Sequence, residues 1–114
     1  MLPKEYRLKK RTAFSATYRT GRTLHKDGVT VFIGKEKQID TPTRVGFVVS
    51  KKIHKRAVKR NRIKRLMRES YRLLIKEGAV SDKYISLIFV ASTKLLDMSF
   101  KDVDNAIRKL VYKL

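Results

Sequence analysis

The run Ala57–Lys76 carries two opposed patterns at once, and an amphipathic helix is the structure that reconciles them. Ile63, Leu66, Met67, Ser70, Tyr71 and Leu74 recur at intervals of three and one, so on a helix they fall within an arc of about 140°. Asn61, Arg65, Arg68 and Arg72 fall opposite them, within an arc of about 60°. Arg60 and Lys64 flank that arc on one side and Arg62 on the other. Gly78 stands where such a helix would stop. A helix divided this way must lay its apolar stripe on another layer, so the rest of the chain has to supply one.

The polar face is unusual in sign. From Lys51 to Arg68 there are ten Lys or Arg residues and no Asp or Glu. An ordinary solvated helix mixes both signs, because pairs three or four residues apart stabilise it, whereas like charges at that spacing cost a few tenths of a kcal/mol each. The whole chain follows suit, with 29 Lys and Arg against 10 Asp and Glu and a net charge of +19. Such a charge calls for a polyanion, and folded RNA is the leading partner, because its phosphates exchange their counterions for Lys and Arg. An anionic membrane is the competitor. Ser70 interrupts the apolar stripe, and the sheet needs that stripe, so membrane binding ranks low. No helix-turn-helix or zinc-finger spacing argues for a sequence-reading DNA module.

The remaining elements follow from period and punctuation. The reading is one RNA-binding domain over residues 1–114, with no repeat and no low-complexity tract. Thr12 is expected to cap a short helix, Ala13–Thr20, ended by Gly21. Val29–Ile33 alternates as a strand, with Val29, Val31 and Ile33 on one side and Thr30 and Phe32 on the other. Lys35–Pro42 reads as a turn, and Arg44–Ser50 as a second strand, hairpin-paired with the first. Lys51–Lys55 is a basic loop. Tyr84–Ala91 is a third strand, apolar enough for a central position covered on both faces and paired in parallel with the second. Ser99 opens a last helix, with Asp102 in its first turn and a stripe of Val103, Ile107, Leu110, Val111 and Leu114. The expected fold is an α+β, α-β-β-α-β-α sandwich: a small central sheet with helices packed on it.

A second surface is open to two readings. Phe14 and Tyr18, four apart on the first helix, and Thr30 and Phe32 on the first strand could form an aromatic cleft for single-stranded nucleic acid, near Arg11, Arg19 and Arg22. Taken alone, such an aromatic pair reads first as a helix docked on a sheet. Protein-borne catalysis has no support. His25 and His54 lack an orienting acid, the acids are scattered without metal-ligand spacing, and no glycine-rich phosphate loop is present. The chain lacks cysteine, which excludes disulfides and thiolate sites. No apolar run approaches the roughly 20 residues of a membrane span. The opening Met1–Tyr6 lacks the apolar stretch of a secretory leader, and the expected location is the cytoplasm.

The string Ser50-Lys51-Lys52, Arg56-Ala57-Val58, Arg60-Asn61-Arg62-Ile63-Lys64-Arg65 and Arg68-Glu69 closely resembles the signature of the bacterial ribonuclease P protein subunit. Tyr6–Lys10 followed by Phe14 resembles that family's opening segment, and Arg44–Val49 its strand before the basic loop. The departures are a loop, Ile53-His54-Lys55-Arg56, more basic than in many members, and Lys26–Val29 without an arginine-aromatic step. The resemblance implies an accessory subunit of an endoribonuclease whose RNA, with its Mg²⁺ ions, removes the 5′ leader of precursor tRNA. It implies no catalytic residue and no metal ligand in the protein, and no need for a protein oligomer. Lys51, Lys52, Lys55, Arg56, Arg60, Asn61, Arg62, Lys64, Arg65 and Arg68 would contact the catalytic RNA. Phe14, Tyr18, Thr30 and Phe32 would line the cleft for the leader. A left-handed β-α-β crossover is also implied. The alternative is a non-catalytic basic RNA-binding module, ribosome-associated or an RNA chaperone.

Overall fold

The sheet takes its order from the most apolar strand. In the computed structural model, which describes residues 2–37, 40–80 and 82–114, the elements run α1 (Arg11–Arg19), β1 (Thr23–Lys26), β2 (Val29–Ile33), β3 (Arg44–Val48), α2 (Ala57–Lys76), β4 (Ser86–Ala91) and α3 (Phe100–Tyr112). The strand order is β1-β2-β4-β3. β4, the run SLIFVA, is central, antiparallel to β2 and parallel to β3, as its near-continuous apolarity predicts.

Two expectations about the strands are corrected. β2 and β3 are not a hairpin, because β4 lies between them. The chain past β2 continues beside β4 instead of turning back: Gly34 N–H donates to Ser86 O at 2.8 Å, and Ile85 N–H to Lys35 O at 2.8 Å. The rest of the expected turn at Lys35–Pro42 includes Gln38 and Ile39, which lie outside the described residues. The true hairpin is β1–β2, and β1 was not anticipated. Its two-residue turn is Asp27-Gly28, with φ of 49° and 87°. A turn with both central residues at positive φ matches the right-handed twist of the flanking strands, and Asp-Gly is a favoured pair for it.

One face of the sheet receives α2 and α3, and their stripes interlock there. Ile63, Met67, Tyr71 and Leu74 of α2 are buried, with Val103, Ile107, Leu110 and Val111 of α3 and Val31, Leu87 and Phe89 of the sheet. Phe89 stacks on Phe47 with centroids 5.8 Å apart and tilts against Tyr71 at 5.7 Å. Ser70, the polar member of the stripe, is also buried, and its hydroxyl donates to Asp104 Oδ1 at 2.7 Å. Asp104 accepts from Arg108 at 2.8 Å, and Arg108 reaches Glu77 at 2.6 Å. This ties the C-terminal half of α2 to α3. The guanidinium of Arg108 holds the Glu77 carboxyl below its ordinary value.

The helix ends follow the sequence except at Thr12 and at Leu114, which packs on the core from just past the end of α3. Gly21 and Gly78, both at positive φ, stand just past α1 and α2. Ser99 Oγ accepts from Asp102 N–H, as expected of an N-cap. Thr12, however, caps nothing. α1 begins at Arg11 after an extended Lys10 that makes no side-chain cap bond, and Thr12 lies inside the first turn. Among the described residues no helix is long and apolar enough to cross a membrane.

Candidate nucleic-acid interface

Because α2 buries one stripe, the opposite arc must face outward. Asn61 and Arg65 are exposed, and Lys64 and Arg68 half-exposed. With Val58, which is 76% exposed, they line a shallow hollow of about 380 Å³. Among the described residues, no ion pair or side-chain hydrogen bond engages Lys64, Arg65 or Arg68. Lys51, Lys52, Lys55 and Arg56 of the preceding loop are exposed too. Unneutralised like charges at this density raise the potential over the face and attract a polyanion.

Three arginines of the helix have intramolecular partners as well. Arg60 donates to the carbonyls of His54 and Lys55, both at 2.8 Å, and so fastens the basic loop to the first turn of α2. Arg62 donates to Met98 O at 3.2 Å, anchoring α2 to the segment before α3. Each guanidinium keeps further N–H donors for a phosphate. Arg72 is different: it grips Glu69 at 2.6 and 3.0 Å, so the acid-free band ends there. His54 has a structural task, since its Nδ1 accepts from Arg56 N–H at 3.0 Å.

The other face of the sheet carries α1. Cross-strand register places Thr23, Phe32, Ile88 and Gly46 in one row, and His25, Thr30, Val90 and Val48 in the next. α1 lies over the first row. Phe14 covers Gly46, where any Cβ would come within 2.7 Å of the Phe14 ring. Tyr18 meets Phe32 edge to face with centroids 4.8 Å apart. The second row is left beside the helix, with Thr30, Val48 and Val90 half-exposed. Thr30 Oγ1 is hydrogen-bonded to His25 Nδ1 at 2.9 Å.

Tyr18 thus docks α1 on the sheet without being covered by it. The Tyr18–Phe32 contact seats α1, yet Tyr18 remains 38% exposed and Phe14 and Phe32 half-exposed, at the edge of an open, partly apolar strip. Partial burial raises the pKa of the Tyr18 hydroxyl, so it stays a neutral donor. Tyr18, Thr30 and Phe32 come together, while Phe14 stands one helical turn away over β3. Val48, Val90 and His25 extend the strip and were missed, because their alignment depends on a register that local sequence does not display. Phe14 and Arg68 line one common hollow around the β3 edge, so the cleft side and the basic helix adjoin.

Among the described residues, no group of three or more His, Asp or Glu is placed to hold a metal ion. What the arrangement offers is binding: phosphates on α2 and its loop, and unstacked bases beside α1.

Comparison with known proteins identifies the family and the fold. The family model described as Ribonuclease P matches residues 2–114. The Ribonuclease P protein component of Clostridioides difficile is 38% identical over 104 residues, covering 91% of this chain and 87% of the relative. That of an Exiguobacterium species is 48% identical over 84 residues, covering 74% and 71%. The structure of the Staphylococcus aureus RNase P protein aligns with a TM-score of 0.77 at 31% identity, over 94% of this chain and 93% of that one. The Thermotoga maritima RNase P protein shares the fold, with a TM-score of 0.80 at 24% identity over 95% and 96%.

Proposed function

The chain belongs to the ribonuclease P protein component family, and from that premise we propose how it serves this endoribonuclease of tRNA processing: it clamps the catalytic RNA with one face and the substrate's leader with the other. Family membership sets aside the alternative of an unrelated basic RNA-binding module. Asn61, Lys64, Arg65 and Arg68, with Lys51, Lys52, Lys55 and Arg56, contact the catalytic RNA. Arg60 and Arg62 contribute there while also bracing the helix. Phe14, Tyr18, Thr30 and Phe32 receive the 5′ leader of precursor tRNA. The protein requires no oligomer for this and works in the cytoplasm.

The observation that carries this reading is the pairing of an unneutralised cationic helix face with a half-exposed aromatic strip around one sheet edge. The first supplies counterion-releasing phosphate contacts. The second suits a single strand of varied sequence, because every base has a face to stack. The chain's own part is therefore to hold and orient. Fixing the leader relative to the catalytic RNA turns an encounter into an intramolecular event and raises the effective concentration of the scissile bond. The RNA carries the hydrolytic step and the Mg²⁺ ions it needs.

Reconstitution with a bacterial catalytic RNA tests this. Added protein should accelerate leader removal at low Mg²⁺, and no acceleration would count against the proposal. Within that assay, Phe32→Leu keeps an apolar side chain under Tyr18 but removes a stacking face. Affinity for leader-bearing precursor should fall by about tenfold, in line with the ~1–3 kcal/mol of one base–aromatic stack. Affinity for mature tRNA should stay unchanged. Equal loss on both substrates would return Phe32 to a purely structural role.

A further inference from the structure

Behind α1, on the side away from Tyr18, lies a groove of about 360 Å³ that the proposed contacts leave unused. Its floor is apolar: Ala13 and Ala16 of α1, Pro42, and Ile85, which is 49% exposed. Ala13, Ala16 and Thr17 share one side of the helix, and Phe14 and Tyr18 share the adjacent one. At the bottom Thr17 and Ser86 are hydrogen-bonded to each other at 2.5 Å. Gly34 keeps the groove wall thin, since a Cβ there would sit 2.4 Å from Ser86 Oγ.

The charged residues of the rim are all basic. Lys9, Lys10, Lys35 and Arg44 are exposed, and none of the lining residues is an acid. Glu5 lies in a separate hollow beyond Lys9. Among the described residues, no ion pair engages these four cations. A volume above roughly 300 Å³ with an apolar floor and few polar groups falls within the range of ligand sites.

The groove is also continuous with the surfaces already described. Arg68 lines both the hollow on α2 and the hollow under Phe14. Leu8 and Lys9 line both that second hollow and the groove. A basic path thus runs from α2, around the β3 edge and past Phe14, into the space behind α1. Folded RNA presents phosphates outward, whereas a single strand brings both phosphates for the rim and bases for the floor.

We propose that this groove binds the distal part of the precursor's leader, the single-stranded nucleotides upstream of those held on the strip beside Tyr18 and Phe32. The inference rests on the assignment of the leader to that cleft.

The experiment compares, in the reconstituted holoenzyme, leaderless tRNA, a precursor whose leader only fills the cleft, and one with a longer unstructured leader. The long leader should bind about tenfold tighter than the short one, with a salt slope steeper by about two, as for two added phosphate contacts. The double variant Lys10→Glu/Lys35→Glu should erase that gain and leave the short-leader precursor unchanged. Ile85→Asp, at an exposed floor position, should do the same. A gain that survives both variants overturns the proposal. Equal loss on short and long leaders also overturns it, because the groove would then be touching the catalytic RNA. A short-leader preference with no further gain from length sinks the groove alone. No preference for any leader over leaderless tRNA sinks the cleft assignment as well.

Discussion

Replacing Lys64, Arg65 and Arg68 together by alanine is expected to weaken binding of the catalytic RNA by about 10²-fold at physiological salt, and to flatten the salt dependence by about three. The three side chains line one hollow, stand free of carboxylates among the described residues, and lie on the arc opposite the core stripe (Arg65, Arg68) or beside it (Lys64). Each lost phosphate contact removes about one unit of slope, so the number read from a salt titration counts contacts directly. The stability of the free protein should move the other way or not at all. Like charges three and four apart oppose the isolated helix, and alanine is the better helix former. A fall in thermal stability that matched the loss of affinity would mean that these residues build the fold, contrary to the outward face described above.

The largest effect on stability is expected from Phe89→Ala. Phe89 is fully buried in the central strand and holds Phe47 and Tyr71 around it. Emptying such a site costs about 3–5 kcal/mol, against the roughly 5–15 kcal/mol that holds a domain folded. A chain of charge +19 also carries self-repulsion, so the variant should be largely unfolded in isolation at low salt. Because α2 is packed on this site, its RNA-binding face is lost with the fold. Saturating catalytic RNA should restore part of it, since a partner that binds only the native state stabilises that state by mass action. Denaturant unfolding with and without RNA measures both parts. A fully stable variant would contradict the packing described here.

These two expectations concern elements of very different legibility. α2 could be read almost completely, because its stripe, its opposite arc and the Gly78 stop all lie within one local window. The central place of β4 was also readable, since a strand apolar on both faces needs cover on both. Its neighbours were harder. Pairing β2 with β3 by adjacency failed because the strand that separates them is supplied from beyond α2, and nothing local announces that insertion. β1 was missed for a different reason: Thr23–Lys26 is short and holds one aliphatic side chain, Leu24. The Asp27-Gly28 pair was a usable hairpin signal that the weak strand before it obscured. Thr12 has the chemistry of a cap, but the backbone turns helical one residue earlier.

The site shows the same division. That Arg65 and Arg68 face outward followed from helical period alone. That Arg60 and Arg62 also hold backbone carbonyls did not, and the partner of Arg62 at Met98 lies 36 residues away. Phe14, Tyr18, Thr30 and Phe32 could be named from spacing and resemblance. Val48 and Val90, which continue the strip across the sheet, became visible only with the register of β4.

The absence of cysteine allows a direct test of the central claim that the two faces meet two different RNAs. A photo-crosslinker on a single introduced cysteine reports only its own surroundings. Val58→Cys places it in the hollow on α2, and Thr30→Cys in the strip beside α1. In a holoenzyme loaded with precursor tRNA, the first should mark the catalytic RNA and the second the leader. If both marked the same strand, or if Val58→Cys marked no RNA at all, the division of labour between the two faces would be wrong.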